Sequence, residues 1–384
     1  MGYEIMRFIG NKTSLLDNIN DFICENIPYY EDMIFCDIFS GTSSVARYFK
    51  KDFQIISNDL LYFSYVLQKA TIDNNQFPNF KNLKKELNLN NYEDILNYLE
   101  NSPLDKLQKD YNINDEELFI YNNYTPSSDM CERMYFKPET GKRIDLIRIL
   151  LNKWLENKII SENEYFYLLA ILIETVPYYS NICGVYGAYL KTWDKRTYNP
   201  FKLQDLEIIN NNKDNISYNC DAHELIKKIK GDILYLDPPY NTRQYPPNYH
   251  VLETIAKYDY PEIKGVSGMR EYKEQISMFC RKKEVYNALN DIIKNANFQY
   301  IIMSYSTDGI LTIEEIEEIF RTHGISDTYK MAKPIEYRQF KSQKRPSKKD
   351  LHELLFFVEK EVKTPRINDK KLFRKKKEIQ TTLK

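Results

Sequence analysis

Residues 33–49 read MIFCDIFSGTSSVARYF. Met33 to Ile38 is an apolar run of strand length, Ser40-Gly41-Thr42-Ser43 is a turn of small residues, and Val45, Ala46 and Phe49 open a helix. The next segment, FQIISNDLL, supplies a second strand from Phe53 to Ile56 that ends at Asn58-Asp59. The same rhythm returns in ISYNCDAHELI, GDILYLDPPY and FQYIIMSYSTDG, and HELLFFVEK gives a late strand. Strands alternating with helices predict an α/β fold, a parallel sheet with helices on both faces.

The chain has 384 residues, 28% charged and 42% hydrophobic, which is a globular composition with room for a full core. No apolar run reaches the roughly 20 residues of a membrane helix. Met1-Gly2-Tyr3-Glu4 lacks the pattern of a signal peptide, and Met6 stands where a myristoylation motif needs Ser or Thr. A cytoplasmic chain is therefore expected, without a membrane partner. Cys24, Cys36, Cys131, Cys183, Cys220 and Cys280 form no CxxC pair and read as buried free thiols. The four histidines are scattered, so no metal is expected. Net charge is −1, but residues 331–384 carry 17 Lys+Arg against 7 Asp+Glu. That basic segment is either a nucleic-acid footprint or a solvated tail.

Between the sheet segments the pattern turns helical. Residues 75–140 are rich in Asn, Lys, Leu and Tyr with weak periodicity and read as an insertion. RIDLIRILLNKWLEN and SENEYFYLLAILIETVP read as amphipathic helices; Ser161 and Glu164 match a capping box, with Pro177 placed beyond the helix end. Thr312 and Glu315 match another capping box. Residues 178–193, YYSNICGVYGAYLKTW, form a loop or hairpin that either contacts DNA or packs internally, while Trp154 and Trp193 read as core. The expected domains are a catalytic one, 1–74 with 215–362, an inserted helical target-recognition region, 75–214, and a basic tail, 363–384.

Ligands of open parallel sheets bind beyond the carboxyl ends of the strands. The Phe39–Ser43 loop and Asp59 both lie at such ends, and an acid at the second strand can accept hydrogen bonds from ribose hydroxyls. That pair alone also fits dehydrogenases and ordinary turns. Asp237-Pro238-Pro239-Tyr240 narrows the chemistry. The lone pair of an exocyclic amine on a nucleobase is delocalised into the ring, so methylating it requires acceptors for its N–H protons. The Asp237 carboxylate and the Pro238 carbonyl supply two, and the prolines stiffen them. Tyr240 offers a face for a base, which must leave the duplex to reach it.

DPPY, with DIFSGT before it and RFIGNK at the N-terminus, resembles the adenine-N6 DNA methyltransferases of the Dam-like class, in their alpha-group motif order. DPPYNTRQY and GKRIDLIR resemble a restriction–modification branch that includes the FokI- and NlaIII-type methylases. The resemblance implies a Rossmann-like fold, S-adenosyl-L-methionine as cofactor, duplex DNA as substrate, and a monomer paired in its system with a restriction endonuclease it need not touch. A nucleoid-associated location follows from the DNA substrate. It also implies site residues: Phe8, Gly10 and Lys12 at the methionine end of the cofactor, with Lys12 neutralising its carboxylate; Asp37, Phe39 and Gly41 in the loop beside it; Asp59 on the ribose; Asp221 on the cofactor adenine; and Asp237, Pro238, Pro239 and Tyr240 in catalysis.

The family's loop usually carries a second glycine where this chain has Ser43, whose Cβ narrows the approach of the backbone. Ser43 is also the one feature favouring an inactive DNA-binding relative. RNA adenine, cytosine N4 or a glutamine amide are alternative acceptors for the same chemistry. Asp221 is equally placed to cap the helix through Leu225. Arg243, Gln244, Tyr245, Tyr249 and His250 are candidates to cover the flipped base or touch phosphate, with Arg243 and Tyr245 as candidate DNA contacts, while Tyr249 and His250 equally fit the start of a buried helix through Leu252 and Ile255. Arg338, Lys341, Lys344, Arg345, Lys348 and Lys349 make a candidate phosphate strip. Residues 75–140 and 257–281 are the candidate recognition surfaces.

Overall fold

The computed structural model describes residues 10–28, 32–127, 131–336 and 352–362. The chain divides into two compact units, one of Asn11–Leu60, Asn211–Arg243 and Ser277–Lys384, the other of Met1–Gly10, Leu61–Asn210 and Gln244–Ile276.

The first unit is built on a sheet. Its strands are β1 Ile34–Asp37, β2 Gln54–Asn58, β3 Ile216–Tyr218, β4 Gly231–Leu236, β5 Phe298–Ser306, β6 Lys330–Met331 and β7 His352–Glu359. They run in the order β3-β2-β1-β4-β5-β7-β6, with Ile335–Glu336 pairing β7 outside that path. β1 to β5 pair in parallel, and β7 is antiparallel to β5 and β6. Helices on both faces explain why β1 and β4 read as continuous apolar runs rather than alternating ones.

Successive side chains of β1 serve opposite faces. Phe35 stacks with Phe49, Phe53 and Tyr235 at centroid distances of 4.7, 5.9 and 6.0 Å. On that side Phe22, from helix Leu16–Asn26, meets Phe357 of β7 edge-on. Ile34, Cys36 and Ile38 face the other core, with Leu225, Ala288 and Ile316 from helices Ala222–Ile226, Val285–Asn295 and Ile313–His323. The buried Asp232 carboxylate accepts the Ile34 N–H at 2.7 Å and locks β4 against β1. Strand order reverses between β1 and β4, so the carboxyl ends of these two strands flank the switch point where open α/β sheets bind ligands.

The second unit is helical. Its longest elements are Pro138–Glu156 and Glu162–Tyr179, and Pro246–Lys257 packs into the same core. Two buried carboxylates tie it together. Glu253 accepts the Tyr62 and Phe63 N–H groups, both at 3.1 Å, at the start of helix Tyr62–Gln68, and also bonds Gln275 and Lys257. Asp145 accepts the Ile120 and Tyr121 N–H groups at 2.8 and 2.7 Å, and the Tyr258 hydroxyl at 2.6 Å.

The compact units differ from the expected boundaries. Residues 61–74 and 244–276 group with the helices rather than with the sheet. Glu253→Ala orphans helix N–H groups and the Lys257 ammonium, so it should lower the unfolding free energy by about 3 kcal/mol in urea denaturation. Glu253→Gln keeps an acceptor and should lose less.

The structure also bears on the capping boxes, Pro177, the tryptophans and the cysteines. Both capping boxes form: Ser161 accepts the Glu164 N–H and Thr312 the Glu315 N–H. Pro177, however, lies inside helix Glu162–Tyr179. It falls in the last turn, where one missing N–H costs little, and the Ser180 hydroxyl bonds back to Val176 O at 2.8 Å. Trp154 is buried, whereas Trp193 is only partly so. Only Cys36, Cys131 and Cys280 are buried; Cys24 and Cys183 are exposed and Cys220 is half-buried, so the thiols are not uniformly core. Among the described residues no helix is long and apolar enough to cross a membrane, and no cluster of ligating side chains could hold a metal ion.

Candidate active site

The turn after β1 is closed by its own polar groups. Ser40 Oγ donates to Asp37 O at 2.8 Å, Ser43 N to Ser40 O at 2.7 Å, and Ser40 N to Asn58 O at 2.9 Å. Gly41 N donates to the Asp59 carboxylate at 2.8 Å, which joins the β1 and β2 ends. Asn58, which the sequence did not single out, donates through its amide to Ile38 O and Cys220 O, both at 3.1 Å, and so ties the β1, β2 and β3 ends together. Its only signal was its place beside Asp59 at a strand terminus.

Gly41 and Ser43 both adopt left-handed backbone, with φ of 51° and 64°. Ser43 therefore keeps the loop shape that a glycine would give, at a steric cost of about 1–2 kcal/mol. Its buried hydroxyl has no hydrogen-bond partner among the described residues. Ser43→Gly should raise the unfolding free energy by about 1 kcal/mol after the greater backbone entropy of glycine is discounted, as read by urea denaturation.

β4 ends in the second half of the site. Lys12, 3% exposed, places its ammonium 2.8 Å from Asp237 Oδ1 and 3.2 Å from Glu353 Oε1, a β7 residue. Glu353 also accepts a hydrogen bond from the Ser304 hydroxyl of β5. Burial alone would lower the Lys12 pKa, but Asp237 and Glu353 outweigh it and hold it well above the ordinary lysine value. Burial pushes the Asp237 carboxyl up to about 6, with Lys12 opposing and Glu353 reinforcing. Asp237 remains 17% exposed, so one edge is open to a substrate. Asp37 is buried, its Oδ1 has no hydrogen-bond partner among the described residues, and its carboxyl is pushed up to about 8 by burial and then by Asp237.

Tyr240 is clamped from behind. Its carbonyl accepts the Ile310 N–H at 2.9 Å, and its ring meets Tyr305 edge-on at 6.3 Å. The Tyr305 hydroxyl accepts the Leu311 N–H at 3.1 Å. A Cβ at Gly309 would fall 2.1 Å from the Tyr305 ring, so that loop closes on the tyrosine only with glycine there. On the other flank Phe39 meets Phe279 edge-on at 5.1 Å, and Phe279 stacks with His223 at 5.7 Å. Asp221 caps helix Ala222–Ile226 through the His223 N–H at 2.8 Å, and its carboxyl is held below the usual range by hydrogen bonds to His223.

The sheet unit thus brings together Lys12, Asp37, Phe39, Gly41, Asp59, Asp221, Asp237, Pro238 and Tyr240 at its strand ends. Lys12 sits on the Asp237 carboxylate, whereas the resemblance implied a cofactor carboxylate for it. Gly10, a turn with φ of 79°, belongs to the helical unit. Arg243 is exposed; its N–H bonds the Asn241 side chain at 2.9 Å and its carbonyl accepts from the Cys280 thiol. Tyr245 stacks with Tyr249 at 6.4 Å and precedes helix Pro246–Lys257. Tyr249 and His250 are buried in that helix, which settles NTRQYPPNYH as a helix start with Pro246 and Pro247 in its first turn. Burial pushes the His250 pKa down to about 4, so the ring is neutral and its Nε2 pairs with Tyr186 O at 2.9 Å. Phe8, Arg338, Lys341, Lys344, Arg345, Lys348 and Lys349 lie outside the described residues.

The chain is similar in sequence to several known proteins. The chain is 51% identical over 357 residues to the type II methyltransferase M.FokI of Planomicrobium okeanokoites, covering 93% of this chain and 53% of that protein. It is 39% identical over 359 residues to the modification methylase StsI of Streptococcus sanguinis, covering 92% and 52%. Identity to the type II methyltransferase M.NlaIII of Neisseria lactamica is 37% over 342 residues, covering 88% and 93%. The chain therefore spans about half the length of the first two relatives and nearly all of the third. The model of the D12 class N6 adenine-specific DNA methyltransferases matches residues 8–319, which take in the β1 turn, Asp59 and the Asp-Pro-Pro-Tyr strand end. With most of its length inside that match, the chain belongs to the D12 class of N6 adenine-specific DNA methyltransferases.

Proposed function

We propose that the chain transfers a methyl group from S-adenosyl-L-methionine to N6 of a flipped-out adenine in duplex DNA, as the modification half of a restriction system. The observation that carries this reading is the Asp237 carboxylate, fixed by Lys12 at a Pro-Pro-Tyr strand end and still open on one edge. Asp237 accepts one amine proton and the Pro238 carbonyl the other, which frees the nitrogen lone pair; Tyr240 supports the base. The lone pair takes the methyl group, and one amine proton leaves through Asp237.

The residues fit the cofactor. The buried Asp37 oxygen, without a hydrogen-bond partner among the described residues, suits a cationic ligand, and the Gly41–Asp59 link leaves small residues where a ribosyl group must approach. Asp37, Phe39, Gly41, Asp59 and Asp221 would hold it. When bound, it supplies an electrophilic methyl on a sulfonium. Because Ser43 keeps the glycine-like turn, it does not argue for an inactive relative.

The helical unit is proposed to read the target sequence. A cavity of about 440 Å³ in that unit is lined by Arg196, Lys202, Tyr178 and Tyr186 and by no carboxylate, which suits a phosphate-bearing strand. A cytoplasmic monomer working at the nucleoid, with a nuclease partner in the same system, completes the proposal. Sequencing DNA from cells that express the protein tests it: one methylated adenine motif is expected, and its absence would overturn the reading.

A further inference from the structure

The Lys12 ammonium is shared. A single carboxylate would balance its charge, yet it lies between two, Asp237 at 2.8 Å and Glu353 at 3.2 Å. Glu353 is 2% exposed and comes from the far side of the sheet order, on β7. It is paired with Ser306 of β5 across the antiparallel ladder, and Ser304, two residues along on the same face, donates its hydroxyl to the carboxylate. A buried carboxylate is costly unless it is paired and hydrogen-bonded, and here both conditions are met by one lysine and one serine. The arrangement sets a second anchor behind the lysine that faces the reacting carboxylate.

We infer that Glu353 is a positioning residue for methyl transfer: it anchors Lys12, and through Lys12 sets the direction and charge of Asp237. This rests on the functional reading above. When Asp237 turns one oxygen to an amine proton, a lysine held only by Asp237 would follow it; a lysine also held by Glu353 stays. The charged and titratable groups facing Asp237 are Lys12 from the N-terminal segment, Asp37 from β1, Tyr235 from β4 and Glu353 from β7. Among the described residues Glu353 adds negative charge beside Asp237, which keeps it a better proton acceptor than the Lys12–Asp237 pair alone would be. Removing the Glu353 charge therefore moves the Asp237 titration to lower pH.

The test uses the full chain as wild type, Glu353→Gln, Glu353→Asp and Ser304→Ala. Two readouts are taken: the pH profile of kcat for methyl transfer to duplex DNA, and the titration of ¹³C-labelled aspartate carboxyls, with the Asp237 signal identified by its loss in Asp237→Asn. Glu353→Gln should lower kcat about 10–100-fold, leave KM for DNA within about threefold, and move both the acid limb and the Asp237 titration to lower pH. Glu353→Asp keeps the charge and guards against a Gln variant that fails to fold; it should lower kcat with less movement of the limb. Ser304→Ala should lower kcat without moving it. If Glu353→Gln and Glu353→Asp lose stability or activity while the Asp237 titration stays at its wild-type position, Glu353 is merely structural and the inference falls. Wild type that methylates nothing would instead defeat the functional reading, and the carboxyl titration would still report on Glu353.

Discussion

Asp237→Ala should reduce methyl transfer by about 10³–10⁴-fold in kcat, because it removes the proton acceptor in the transition state. Its effect should separate from binding: calorimetry should find cofactor affinity within a few-fold of wild type, since the residues proposed to hold the cofactor lie on the β1 turn and at Asp59 and Asp221. Asp237→Asn keeps one acceptor oxygen but leaves Lys12 facing a neutral amide, so an intermediate loss, on the order of 10²-fold, is expected. The pH dependence follows from the same group. In the proposed mechanism the ionised carboxylate is the active form, and burial raises its pKa to about 6. Activity should therefore be full at pH 8, half lost near pH 6 and fall about tenfold for each further unit downward. An acid limb in the range of an ordinary, unshifted aspartate would mean that Asp237 is not the titrating acceptor.

Lys12→Met should cost about 3–5 kcal/mol of folding stability at pH 8, since it leaves Asp237 and Glu353 buried without their shared cation. The sign of its pH dependence is fixed. Burial already holds the Asp237 carboxyl above its ordinary value with Lys12 opposing, so without Lys12 that carboxyl rises further and the native state binds more protons than the unfolded state. Stability is then highest below the unfolded pKa and lost as pH rises through the folded pKa. The deficit of Lys12→Met relative to wild type should accordingly shrink toward pH 4 and grow toward pH 8, as measured by urea denaturation across that range. Lys12→Arg should not rescue activity, because a planar fork cannot occupy the space of a point-like ammonium between two carboxylates. A Lys12→Met protein as stable as wild type at pH 8 would show that the two carboxylates do not depend on this lysine.

The sheet and its site were legible because they are written locally. Residues 33–49 hold a strand, a turn and a helix within one short window, and GDILYLDPPY ends an apolar strand on its own chemistry. Asp59 and Asp237 could be named because each ends such a segment, while Lys12 and Asp37 came from the family resemblance. What escaped reading depends on distant partners. Glu353 looks like any polar residue in HELLFFVEK until β7 pairs with β5 and delivers it to Lys12. Glu253 and Asp145 cap helices far away in sequence, so the boundary between the units was drawn from composition and put residues 61–74 and 244–276 with the sheet. Pro177 read as a helix end because proline usually is one, and only the surrounding core allows the last turn to continue past it. The stretch that follows Asp-Pro-Pro-Tyr, Tyr245 to His250, was ambiguous for a physical reason. Aromatic and proline residues serve a lid and a buried helix start equally well, and burial of Tyr249 and His250 decides for the helix.

The most direct test of the central claim is the identity of the methylated nucleoside. Purified protein, methyl-labelled S-adenosyl-L-methionine and duplex DNA are incubated, the DNA is digested to nucleosides, and the label is located by mass spectrometry. The account predicts label in N6-methyl-2′-deoxyadenosine with wild type and none above background with Asp237→Ala. Label in N4-methyl-2′-deoxycytidine, label only when RNA replaces DNA, or equal labelling by Asp237→Ala would contradict it.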